Sequence, residues 1–199
     1  MAPPVTYLAR DSRRGRLTLL ALTLGSGIVI LDGTVVNVAL RTIGVELGAS
    51  LGQLQWVVNG YLLALASLVL LGGALGDRLG RRRVYVIGMV LFALGSVACA
   101  AAPTIEVLIV TRVVQGVGGA LLMPGALAII QASYAPADRG PAIGTWAGMA
   151  GIGAAIGPFV GGWLVDHGGW RWVFGINVPF CLVVLAIALA VVPESRDAE

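Results

Sequence analysis

Apolar residues fill this chain in long unbroken blocks, and polar residues gather in the short gaps between them. The blocks run over about 17–40, 55–75, 84–102, 107–130, 142–165 and 173–192. Each is close to the roughly 20 residues that an α-helix needs to cross a bilayer core of about 30 Å. A helix satisfies its backbone hydrogen bonds internally, which an open strand in lipid does not. The pattern predicts an all-α polytopic membrane bundle of six transmembrane helices. A tail at 1–16 precedes the 17–192 membrane domain, and a second tail at 193–199 follows it.

Composition sharpens this reading. With 58% hydrophobic and 12% charged residues, the chain has too little polar material to coat a water-soluble domain. Its 29 glycines suit close helix packing in lipid. All 13 basic residues are arginine, and they lie beside apolar blocks as topology signals do. No basic patch is interleaved with aromatics, so the net charge of +3 does not point to nucleic acid. The N-terminal tail, the 76–83 and 131–141 connections and the C-terminal tail hold Arg10, Arg13, Arg14, Arg16, Arg78, Arg81, Arg82, Arg83, Arg139 and Arg196. The opposite side holds only Arg41 and Arg171, which places both termini in the cytoplasm and the chain in the cytoplasmic membrane.

Candidate chemistry sits where charge interrupts the apolar pattern. Asp32 lies inside the first block, where a carboxylate costs on the order of 2.5–3.5 kcal/mol on insertion scales. Such residues commonly handle protons or ions. Arg112 lies in the fourth block, with Gln115 one turn on and Gly116 beginning a glycine-rich stretch. The two charges are at comparable depths. A carboxylate facing a guanidinium holds its charge, and one enclosed by apolar groups takes up a proton, so alternation between the two would load and release a proton.

The second block ends in Gly73-Ala74-Leu75-Gly76-Asp77-Arg78-Leu79-Gly80-Arg81-Arg82-Arg83. A charge cluster of this kind, made in one conformation and broken in another, would act as a gate latch. In the fifth block Gly153, Gly157 and Gly161 recur every four residues, with Gly162 adjacent and Pro158 among them. The glycines offer a smooth strip to a neighbouring helix, and the proline removes one backbone hydrogen bond and permits bending. Asn59, Trp146 and Met149 are candidates for a cavity wall. Trp56 and Tyr61, and the run Trp170-Arg171-Trp172, read as interface anchors. Cys99 and Cys181 fall in apolar blocks and read as packing residues, and His167 has no second ligand at metal spacing. Neither a cofactor nor a metal is expected, no covalent catalysis is indicated, and no P-loop is present, so the energy source is an ion gradient or a partner. The runs Gly72–Asp77 and Gly161–Asp166 both read GGxLxD at opposite ends of their blocks, a faint echo of three helices repeated upside down.

Taken together, these stretches resemble the major facilitator superfamily. Gly73–Arg83 is similar to its loop signature between helices two and three, Arg112–Ala120 to its helix-four signature, and Gly153–Gly162 to the helix-five signature of its antiporters. Leu31–Leu40 and Trp172–Pro179 resemble the fourteen-helix drug/proton antiporter branch, although Arg41 stands where that branch usually has proline. The resemblance implies half of a major facilitator fold, not an enzyme, built as a 3+3 inverted repeat. It implies proton-coupled efflux of a small hydrophobic or cationic drug or metabolite. In that reading Asp32 and Arg112 carry proton coupling and Asp77 with the following arginines controls a gate. Pro158 and its glycines shape the antiporter helix. The family has a second six-helix half, so the chain reads as truncated before it. A partner half or a second copy is expected beside the substrate, protons and lipid. The alternative is a non-transporting membrane protein that acts only through a partner half.

Overall fold

A computed structural model describes residues 7–196; the remainder of the two tails, 1–6 and 197–199, lies outside the described residues. The chain is helical almost throughout: α1 (Arg13–Leu47), α2 (Leu51–Leu79), α3 (Arg81–Ala100), α4 (Ile105–Ser133), α5 (Pro136–Gly168), α6 (Arg171–Gly175) and α7 (Asn177–Val191). The first five, and α6 with α7 as Arg171–Val191, form six spans long and apolar enough to cross a membrane. The helices overrun the apolar blocks by several residues because polar caps extend them. Ser12 accepts the Gly15 N–H, Ser50 and Gln53 form a capping box, and Thr104 accepts the Val107 N–H. With arginine rather than proline at position 41, α1 continues without a break to Leu47 and ends on Gly48 in the left-handed region.

The sixth span departs from the predicted continuous helix. It breaks at Ile176, between α6 and α7. Pro179 has no N–H to offer the Gly175 carbonyl four residues back, which accounts for the interruption. The break places Asn177 at the first turn of α7, facing inward.

Packing follows small residues. The principal helix pairs are α2 with α4, α3 with α4, and α1 with α5. A methyl added to Gly157 would overlap the Thr34 hydroxyl, one on Gly161 would press on the Val35 backbone, and Gly153 faces Gly27. The four-residue glycine repeat is therefore the seam between α5 and α1. The α2–α4 seam is alike: Gly116 lies against the Tyr61 carbonyl, and Gly72 against the Ala120 carbonyl, which Pro124 leaves without its helical donor. Exchange of α1 with α4 and α2 with α5 maps one seam onto the other, as an inverted three-helix repeat requires.

The core divides into two apolar clusters. One, around Leu22, Val29, Met89, Phe92 and Leu122, lies toward the end of the bundle that carries both termini. The other, around Val36, Ile43, Leu108, Trp170 and Phe174, lies toward the opposite end. Between them sits a polar group of buried side chains.

Candidate functional site: a sealed carboxylate–guanidinium network

Asp32 and Arg112 meet in that gap. They project from α1 and α4, are 0% and 1% exposed, and form a direct ion pair between Asp32 Oδ2 and Arg112 Nη1. A charge pair so deep is stable only if the remaining lone pairs and N–H groups are also met. Here both carboxylate oxygens and three of the guanidinium N–H groups are. Arg112 Nε donates to the Val57 carbonyl at 3.1 Å and Nη1 donates to Gln115 Oε1 at 2.7 Å. Its guanidinium carbon stands 4.0 Å from the centre of the Tyr61 ring and 5.7 Å from that of Phe174, as cation–π contact prefers. Tyr61 is held in turn by its hydroxyl, which donates to the Val29 carbonyl at 2.9 Å.

The other carboxylate oxygen has different partners. Asp32 Oδ1 accepts from Gln115 Nε2 at 3.0 Å and from Asn177 Nδ2 at 2.7 Å. Both carboxamides also donate to Ser96 Oγ, at 2.8 Å and 3.2 Å, while Ser96 gives its own proton to the Phe92 carbonyl. Cys99 Sγ completes the group, within 3.3 Å of Thr111 Oγ1 and 3.6 Å of Gln115 Oε1. Five spans thus converge on one carboxylate.

Of the residues singled out in the sequence, Asp32, Arg112 and Gln115 come together here. Ser96 and Cys99 join them from one face of α3, at i and i+3, and Asn177 joins from α7. An isolated serine in the apolar run of α3 was the available signal, but serine in a membrane helix ordinarily bonds its own backbone. Tyr61 and Trp170 are not interface anchors: both are fully buried, and Trp170 Nε1 donates to Glu46 Oε2 at 2.8 Å, beside an Arg171–Glu46 pair at 3.2 Å. Trp56 and Trp172 do lie exposed. His167 belongs to the last turn of α5 and stacks on Trp163 at 4.8 Å. Among the described residues no His, Cys, Asp and Glu cluster could hold a metal.

The loop residues form a second, separate group at the end that carries the termini. Arg81 pairs with Asp77 at 2.8 Å across the α2–α3 junction. Gly80, at φ +110°, turns the chain, and its bare Cα faces Glu194. Glu194 Oε1 accepts the Arg82 N–H at 3.0 Å, the Arg82 guanidinium reaches the Val192 carbonyl at 3.2 Å, and Arg81 N–H bonds the Ser195 carbonyl at 2.8 Å. The segment after α7 therefore straps the junction, a contact that no sequence pattern signalled. Arg78 and Gly73 flank it, Arg78 exposed and Gly73 against Pro124.

The remaining candidates do not share a cavity. Met149 lines an apolar cleft of about 260 Å³ between α1, α5 and α7, with Leu31, Ile156 and Phe180. Asn59 lines another of about 450 Å³ with Asn37, Arg41 and Gln55. Trp146 instead packs against the first core cluster and donates to Ser26 Oγ at 2.8 Å. Pro158 and Gly162 face away from the α1 seam, Pro158 exposed and Gly162 with nothing close to it.

The family model of the Major Facilitator Superfamily matches residues 22–199. The chain belongs to this superfamily. It is 41% identical over 194 residues to the tetracenomycin C resistance and export protein of Streptomyces glaucescens, covering 96% of this chain and 36% of that protein. It is 43% identical to the methylenomycin A resistance protein of Bacillus subtilis, over 89% of this chain and 38% of the relative. The multidrug resistance protein Stp of Mycobacterium tuberculosis is also 43% identical, over 92% of this chain and 34% of its own length. The chain thus spans about a third of the length of the curated relatives it matches. Among solved structures, a D-xylose-proton symporter superposes with a TM-score of 0.79 at 20% identity, covering 90% of this chain and 48% of that one. A peptide transporter gives 0.78 at 21% identity, over 92% and 39%. These likenesses establish the fold: six spans of a multi-pass membrane protein, in a superfamily of transporters rather than enzymes.

Proposed function

We propose that this chain forms six helices of a proton-coupled exporter of a small hydrophobic or cationic drug or metabolite, with Asp32 as the proton carrier. The observation that carries the reading is the ion pair sealed between the two core clusters. A carboxylate on α1 with no solvent contact, bonded to α4 and α7, gains or loses a proton only if those helices move relative to one another, so protonation and conformation are linked. The relatives named for resistance and export support efflux as the direction.

In this reading Arg112 is the fixed counter-charge, and the Asp77–Arg81 pair with the Glu194 strap is the latch that opens at the cytoplasmic end. The arginine bias supports placement of both termini in the cytoplasm. The apolar cleft beside Met149 and the glycine seam on α5 supply adaptable wall. The relatives are about three times as long, so the substrate path is completed by further helices, from a second six-helix half or a second copy.

The test is export of a lipophilic cationic dye from vesicles that carry the protein with its completing helices, driven by an imposed proton gradient. Asp32→Asn is expected to abolish gradient-driven export while dye binding persists. Undiminished export in Asp32→Asn sinks the proposal.

A further inference from the structure

One acceptor in the sealed network has no partner. Asn177 is fully buried, its Nδ2 is committed to Asp32 Oδ1 and Ser96 Oγ, and its Oδ1 is bonded to nothing. The orientation of this amide is not arbitrary. Reversal would put the carbonyl oxygen against a carboxylate oxygen and against Ser96, whose proton already goes to Phe92. With Asp32 charged, the amide must present its nitrogen and strand its oxygen.

The neighbouring carboxamide is not in this position. Gln115 makes the same two donations, to Asp32 Oδ1 and Ser96 Oγ, but its oxygen is held by Arg112 Nη1. Gln115 is pinned, and Asn177 is free to turn about its terminal torsion, which is broad for asparagine. Arg112 likewise has anchors besides Asp32, in the Val57 carbonyl, Gln115 and the Tyr61 ring.

A protonated Asp32 needs something its present partners lack. All three partners are donors, and a carboxylic acid must itself donate. We propose that the Asn177 carboxamide is the two-way partner of Asp32: its nitrogen donates to the carboxylate, and on turning, its idle oxygen accepts the acid's proton, so that Asp32 is loaded while Arg112 stays seated. The inference rests on the reading of Asp32 as proton carrier. The step is a transfer from a hydronium ion to Asp32 Oδ1: one O–H bond of the hydronium breaks, one forms on the carboxylate, water is left, and release reverses it. The turn exchanges an unmet oxygen for an unmet nitrogen, so neither state is locked, which suits a group that must both load and release.

The surroundings leave few rivals for the acceptor role. Arg112 on α4 is the only formal charge beside Asp32 among the described residues, and Tyr61 on α2, Cys99 on α3 and Cys181 on α7 are its other titratable neighbours. Tyr61 spends its proton on Val29 and lies under Arg112. The charged groups of α5 and α6, namely Asp138, Arg139, Asp166, His167 and Arg171, stand at helix ends. Asn177 is a positioning residue here, acting through Asp32.

Infrared difference spectroscopy of the 199-residue chain in lipid nanodiscs tests this. Asparagine occurs only at 37, 59 and 177, so an Asn37→Gln/Asn59→Gln background made with ¹³C-labelled asparagine reports Asn177 alone. In unlabelled protein, subtraction of the same titration in Asp32→Asn isolates the Asp32 carboxyl band. The expected result is that, as Asp32 is protonated, the labelled Asn177 carbonyl band falls to the lower wavenumber of a bonded carbonyl. In Asn177→Leu the Asp32 acid band should then rise to the position of an unbonded acid. If Asp32 is protonated and the Asn177 band does not move, the two-way role is overturned and the proton-carrier reading stands. If no Asp32 acid band forms at any pH where the chain stays folded, both fail. The labelled background carries the test even if Asn177→Leu does not fold.

Discussion

Arg112 and Asp32 stabilise each other so fully that removal of one should harm the protein more than removal of both. Loss of one member of a buried pair strands the other charge and typically costs about 3–5 kcal/mol, whereas an apolar replacement of both is often neutral. Arg112→Met is therefore expected to lower the thermal midpoint in detergent sharply, and Asp32→Leu/Arg112→Met to recover most of it. Equal losses in the two variants would mean that the pair is not coupled. These two residues stood out in the sequence because a charge inside an apolar block is costly wherever it faces. Ser96 and Asn177 did not, since small polar residues in membrane helices are cheap and frequent. Tyr61 was misread for a related reason: an aromatic near a span's end is an anchor or a core residue according to which face it occupies, and a uniformly apolar helix does not reveal its faces.

Among the elements, the α1–α5 seam sets a sharp contrast. Gly157 abuts Thr34 and Gly162, five residues on, abuts nothing. Gly157→Leu should force the two helices apart and destabilise by about 1–3 kcal/mol, and Gly162→Leu should leave the thermal midpoint close to wild type. The strap after α7 gives a second contrast. Glu194→Ala removes the acceptor of the Arg82 N–H, and a cysteine introduced at Arg78 is then expected to react faster with a maleimide at the α2–α3 junction. An unchanged labelling rate would mean that Glu194 does not hold the junction closed. The six spans were readable from block length alone, and the seam from its four-residue glycine repeat. The break at Ile176 was not, because Pro179 near the start of an apolar block is equally compatible with a first-turn proline. The strap was invisible, for it joins residues more than a hundred positions apart.

For the whole molecule, the burial of the spans is uneven. In their most apolar stretches α1 and α4 are 61% and 56% buried, against 22% for α2 and 17% for α5. The inverted repeat explains this: each central helix is covered on several sides, and each flank helix keeps a broad apolar face for lipid or for other helices. The same arrangement groups the connections at two ends. The tails, the α2–α3 junction and the α4–α5 connection share one end, with the N-terminal tail tied to α5 through the Arg10 N–H on Asp138 at 3.2 Å. With the termini cytoplasmic, as proposed above, single cysteines at Ser12, Arg78 and Arg196 should all be labelled from the cytoplasmic side of oriented vesicles, and one at Ala49 from the other. Cys99 and Cys181 are buried and should stay silent. Labelling of Ser12 and Arg196 from opposite sides would rule out the six-span topology.

The seal around Asp32 also has a kinetic meaning. With 0% of its surface exposed, the acid does not meet a hydronium ion in this conformation, whatever the bulk pH. On the proposed reading of Asp32 as proton carrier, loading requires an opening, an encounter and a closing in succession. At low proton concentration the encounter is slow, and the rate should rise in proportion to acidity. Beyond that the rate should level off at the opening frequency, on the microsecond-to-second scale of such motions. The helices around Asp32, rather than its chemistry, would then act as the clock of the cycle.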